Sequence, residues 1–143
     1  MHEQMFLIGR LHPLLVHFPI GLVLMAAGAE IVAIRTRRQT WRVVAIANVR
    51  AGALSCALTL LAGWVLASAP FVEPTPSLAW HRWIGIAAAV ATMGAAVASR
   101  LRHADSRRSL LVYRSALFGA AALVALAGHL GAALVWGTDF LRP

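Results

Sequence analysis

The sequence predicts an all-α integral membrane protein: a transmembrane four-helix bundle made of two hairpins that a weak internal repeat relates, with both termini outside. Three observations predict it. Of the 143 residues, 60% are apolar and 13% charged, with a mean hydropathy of +0.75, more apolar surface than a soluble domain of this length can cover. The apolar residues gather into four runs long enough to cross a hydrocarbon core of about 30 Å at roughly 1.5 Å per residue. Most of the 13 basic residues, which are all arginine, lie outside those runs rather than on one face of a folded domain. That placement excludes nucleic acid as the partner that the net charge of +8 would otherwise suggest. The lipid bilayer is the partner the composition requires, and residues 1–143 read as a single transmembrane domain without a separate soluble catalytic unit.

The spans are predicted near Leu14–Ile34, Val43–Ala69, Trp83–Ser99 and Leu110–Trp136. The first is expected to remain in the mature chain, because no basic segment precedes it and histidines occupy its start. Arg35, Arg37, Arg38 and Arg42 separate the first two spans, and Arg100, Arg102, Arg107 and Arg108 separate the last two. Short arginine-rich connections face the cytoplasm, so both termini are expected on the outer side, the periplasm, of a bacterial inner membrane. The outer connection holds Pro70, Pro74 and Pro76, which break helix without favouring strand. Trp80, Trp83 and Trp136 fall at outer span ends and Trp41 at an inner one, as interfacial anchoring predicts. Cys56 is the single cysteine, which excludes an internal disulfide framework; inside an apolar run it reads as a small buried hydrophobe.

Setting the first pair of spans over the second suggests a repeat offset by 64 residues (81 minus 17), with His17, Ile20 and Gly21 against His81, Ile84 and Gly85. Arg50 meets Arg114 at the same offset, and Leu61-Ala62-Gly63-Trp64 meets Leu126-Ala127-Gly128-His129 one residue later. The repeat predicts two hairpins in one orientation about a pseudo-twofold along the membrane normal. It puts His17, His81 and His129 about 22 to 28 Å from the cytoplasmic arginines, one layer in the outer leaflet with Trp64 at the fourth corner. His12 would lie about 7 Å further out.

Histidines inside a membrane bundle are costly and face partners. Neutral imidazole ligates haem iron, copper and zinc, so His12, His17, His81 and His129 form the candidate cofactor set. The alternative is that those near helix starts are interfacial caps; His129, deep in the fourth run, belongs to no cap. A porphyrin needs small residues on the stripe that carries its ligand. From His17 that stripe reads Gly21, Leu24 and Gly28; from His81 it reads Gly85, Ala88 and Thr92. Close helix packing through small residues competes as an explanation.

First and third helices are diagonal in an up-down-up-down bundle, so His17 and His81 are predicted to face each other as the axial ligands of one haem b, with His17 and His129 as the other possible pair. A second haem, or a metal, could use His12 and His129. Arg10 and Arg82 suit haem propionates, or else lipid headgroups. Bis-imidazole ligation leaves no open iron position and so predicts electron transfer; the absence of a Cys-x-x-Cys-His motif excludes covalent haem. If quinol is the electron donor, Glu73, Asp139 or an unligated histidine would accept its protons. Copper or zinc held directly by the same histidines, and a cofactor-free structural subunit, are the other readings. Glu30, near the inner end of the first span, is expected in an ion pair or snorkelling to water.

The motifs Leu11-His12-Pro13-Leu14-Leu15-Val16-His17-Phe18-Pro19-Ile20, Gly63-Trp64, His81-Arg82-Trp83 and Gly128-His129-Leu130-Gly131 resemble a bacterial family of four-helix predicted membrane proteins of unknown function. Some of its members are fused or adjacent to c-type cytochrome modules. The resemblance covers essentially the whole chain. It implies membrane electron transport, with other membrane redox subunits or a c-type cytochrome as partners and His12, His17, His81 and His129 as the functional set.

Overall fold

The computed structural model describes residues 7–101 and 106–137. A helical lead-in from Leu7, including the turn His12–Leu15, runs into α1 (His17–Thr36); α2 (Gln39–Ala67), α3 (Pro76–Leu101) and α4 (Arg107–Trp136) follow. All four helical runs are long and apolar enough to cross a membrane, and no strand occurs among the described residues. Each helix overruns its apolar stretch, because the arginines and tryptophans at its ends have good or neutral helix propensity and can lie in the headgroup region. Pro76 opens α3 where its missing N–H costs nothing. The side chain of Ser106 caps α4 by accepting from the Ser109 N–H at 3.2 Å. The α1–α2 turn is only Arg37 and Arg38, and Arg37 closes α1 in the left-handed region at φ 56°.

Neighbouring helices are antiparallel: His12 meets α2 near Thr59, and Glu30 meets it at Arg42. The interior is built chiefly of alanine, with Ala26, Ala45, Ala95 and Ala120 fully buried, while leucines such as Leu54 and Leu61 point outward at 68% and 67% exposure. Small residues inside and large apolar ones outside is the distribution expected where the solvent is hydrocarbon and helices associate by close packing. Val23 against Gly52 shows how close: a Cβ on Gly52 would lie 2.9 Å from a Val23 methyl.

Two polar links join the hairpins. Glu30 of α1, with no exposed surface, accepts from Arg114 Nε of α4 at 2.8 Å and from Arg42 Nε at 3.2 Å, both on one carboxylate oxygen. Arg50 of α2 reaches the hydroxyl of Ser99 on α3 at 3.0 Å and its carbonyl at 3.3 Å. The expected ion pair of Glu30 is therefore present, but it points into the bundle and its partners are Arg42 and Arg114.

The internal repeat is present in a different register from the 64-residue offset. Buried Pro19, Val23, Ala26, Ala27 and Glu30 in α1 correspond to buried Ala88, Thr92, Ala95, Ala96 and Ser99 in α3, an offset of 69 (88 minus 19). Buried Ala45, Val49, Gly52, Ala53 and Cys56 in α2 correspond to Tyr113, Leu117, Ala120, Ala121 and Val124 in α4, an offset of 68 (113 minus 45). His81 thus corresponds to His12 (81 minus 12 is 69), and the alignment of His17 with His81 is corrected. His17 lies five residues on from His12, about 140° around a helix, which explains why it faces outward.

Candidate histidine site

The lead-in is fastened to α2 at three points. Gly9 packs on the Leu66 backbone, so that a Cβ there would come within 2.9 Å of the Leu66 nitrogen. Thr59 donates its hydroxyl to the Leu15 carbonyl at 3.2 Å, and its own carbonyl accepts from His12 Nδ1 at 3.0 Å. One turn beyond Thr59, Gly63 leaves room for the ring: a Cβ would stand 2.7 Å from His12 Cε1 and 2.8 Å from Nδ1. A side chain at that position would cover the Thr59 carbonyl, so the glycine opens it to a second hydrogen bond beyond the helical one.

The second hairpin repeats this arrangement. His81 on α3 donates from Nδ1 to the Ala127 carbonyl of α4 at 3.1 Å, and Gly131, four residues further, would carry a Cβ 3.0 Å from His81 Cε1. Thr59 and Ala127, and Gly63 and Gly131, are each 68 residues apart (127 minus 59, 131 minus 63). A carbonyl has no proton to give, so in both rings Nδ1 carries the hydrogen, and in the neutral imidazole Nε2 then keeps its lone pair. The two rings come from diagonal helices and stand with centroids 6.3 Å apart and planes at 76°. Both are half-buried.

Around this pair, the Arg82 guanidinium lies over the Trp64 ring at 4.3 Å, a cation–π contact that ties α3 to α2. Toward the core, Ile20 closes on α4, where a Cβ on Gly128 would meet its Cδ1 at 3.1 Å. Half-buried Gly85, one turn from His81, has open space around it, with nothing within 4 Å of where a Cβ would lie. Gly21 has equal space but is exposed.

Of the four candidate histidines, His12 and His81 are brought together. His17 is exposed and its Nδ1 sits 3.3 Å from the Leu14 carbonyl of its own turn. His129 is also exposed, as is Arg10. Among the described residues no three His, Cys, Asp or Glu side chains cluster as metal ligands would. Sequence reasoning missed Thr59, Ala127 and the role of Gly131. The available signal was the shared spacing of four between Thr59 and Gly63 and between Ala127 and Gly131, once His12 rather than His17 is set against His81.

Fold and site together define a polytopic membrane protein of two pseudo-symmetric helical hairpins, with a half-buried histidine contributed by each half. The chain matches the family described as predicted membrane protein (DUF2231) over residues 10–140. It belongs to that family. No curated protein and no solved structure matches it.

Proposed function

We propose that this protein is a b-type cytochrome-like electron-transfer subunit in which His12 and His81 would hold one haem. The closeness of two Nδ1-anchored imidazoles, one from each hairpin, carries this reading. A metal–nitrogen bond of about 2 Å would put each ring centre about 3 Å from a metal, so two imidazoles sharing one metal would have centres up to about 6 Å apart. The 6.3 Å separation of His12 and His81 fits that distance. Backbone carbonyls on both Nδ1 atoms supply the outer partner that metal-bound histidines use to fix tautomer and orientation. The open space beside half-buried Gly85 favours a flat group next to His81.

The donor set discriminates among metals. Zinc takes four ligands, largely from protein, whereas haem iron brings four nitrogens of its own and asks for two. Two neighbouring histidines, with no cluster of three ligands among the described residues, suit the second case better. Haem would supply one-electron oxidation and reduction at its iron. The chain's own residues would bind it through His12 and His81, hold those rings through the Thr59 and Ala127 carbonyls, and place the Arg82 and Trp64 pair at the outer edge. Arg82, and the exposed Arg10 of the lead-in, are the candidate partners for propionates.

We further propose that the arginine-rich end faces the cytoplasm. The histidine end would then exchange electrons on the outer side of a bacterial inner membrane, with a c-type cytochrome or another membrane redox subunit. The test is a dithionite-reduced minus oxidised spectrum, with pyridine haemochrome and metal analysis on the same purified sample. A low-spin b-type spectrum at about one haem per chain is expected. Stoichiometric copper or zinc without porphyrin would replace this reading by a bare metal site, and neither would overturn both.

A further inference from the structure

The two hairpins differ at the arginine-rich end. Between α3 and α4 lies a groove of about 400 Å³ with walls that include Gly94, Val97, Leu101 and Val112, and with Arg108 and Ser109 at its polar end. Gly94 has nothing within 4 Å of where a Cβ would be, so the groove is open along α3. From Gly94 to Leu101 it runs two helical turns, about 10 Å. The repeat supplies an internal comparison. Where the second hairpin has Gly94, the first has Met25 (94 minus 69), and where it has Ser109 and Arg108 the first has Trp41 and Thr40 (109 minus 68, 108 minus 68). One half therefore carries small residues and a cation where the other carries two bulky side chains and a neutral one.

We propose that this groove binds an acidic phospholipid of the adjoining leaflet, one acyl chain along the wall from Gly94 to Leu101 and the phosphate against Arg108. The family membership and the outward-facing leucines already put this surface in lipid. Charge complementarity selects the lipid: Arg108 lies at the groove, exposed Arg100 and Arg107 raise the local positive potential, and the chain's net charge is +8. An apolar slot opening on an arginine at a membrane surface matches an acyl chain below an anionic headgroup. This inference does not depend on the haem or on which side the arginines face.

Native mass spectrometry of the detergent-solubilised chain, titrated with phosphatidylglycerol and with phosphatidylcholine of identical acyl chains, tests it. Phosphatidylglycerol adducts are expected at about fivefold lower lipid concentration, the factor one well-placed arginine supplies. Arg108→Gln should remove that preference, while Arg38→Gln, equally exposed on the first hairpin, should retain it. Gly94→Trp should lower retention of both lipids several-fold, and Gly28→Trp, the same change on the first hairpin, should not. Equal retention of the two lipids, an indifferent Gly94→Trp, or a preference that survives Arg108→Gln would overturn the proposal. So would displacement of the bound lipid by glycerol phosphate alone, which would mean an anion site without a chain groove. Arg108 is exposed, so its variant remains readable even if Gly94→Trp fails to fold.

Discussion

His12 and His81, 69 residues apart and on diagonally opposed helical segments, occupy equivalent positions in the two halves, and each donates Nδ1 to a carbonyl of its own hairpin's second helix. Each ring also rests on a glycine four residues beyond that carbonyl. Carbonyl, glycine and histidine form one unit that occurs twice.

That unit makes the glycines as restrictive as the histidines. Gly63→Ala would place a Cβ 2.7 Å from the His12 ring and force it off the Thr59 carbonyl. The expected outcome is at least a several-fold loss of haem per chain, measured by pyridine haemochrome, with the same result for Gly131→Val. Gly21→Ala meets open space and should leave the ratio unchanged. Equal loss in all three variants would count against the geometry.

At the other end, Glu30 should dominate stability. Glu30→Leu leaves Arg42 and Arg114 without their shared carboxylate and should cost about 2 to 4 kcal/mol, read as earlier denaturation in a thermal or SDS-titration assay. Ser99→Ala removes one of two acceptors from Arg50, since the Ser99 carbonyl remains, and should cost about 0.5 to 1.5 kcal/mol. A larger loss from Ser99→Ala than from Glu30→Leu would reverse the proposed ranking of the two inter-hairpin links.

Arg82 contributes in two ways. Its contact with Trp64 is worth about 0.5 to 1 kcal/mol at an exposed site, so Trp64→Leu should lower stability by that order. A cation next to a redox centre favours the reduced, less positive state, so Arg82→Gln should lower the haem midpoint potential in a redox titration. An unchanged or raised potential would separate Arg82 from the centre.

Most of the fold was legible in the sequence. Long apolar runs punctuated by arginines specify four spans because hydrocarbon demands them, and the observed helices differ from the expected ones chiefly by starting earlier. Pro76–Leu101 replaces Trp83–Ser99 because a count of apolar residues stops at the tryptophans and the proline, which the helix includes. The repeat was legible, but its register was not. Arg50 and Arg114, at an offset of 64, sit one turn from true equivalence at 68 and so still face the opposite hairpin. His17 against His81 is off by five residues, which changes the face. A local motif match does not distinguish these cases, whereas the buried positions do. The carbonyl partners Thr59 and Ala127 were illegible because a backbone acceptor leaves no mark on residue type.

Parallel reduced-minus-oxidised spectra of the native chain and of His12→Ala and His17→Ala, each purified under the same conditions and normalised to protein, test the central claim most directly. The account predicts a low-spin b-type signal in the native chain, its loss in His12→Ala and its retention in His17→Ala. Loss in His17→Ala with retention in His12→Ala would contradict the pairing of His12 with His81, and no signal in any of the three would contradict the haem.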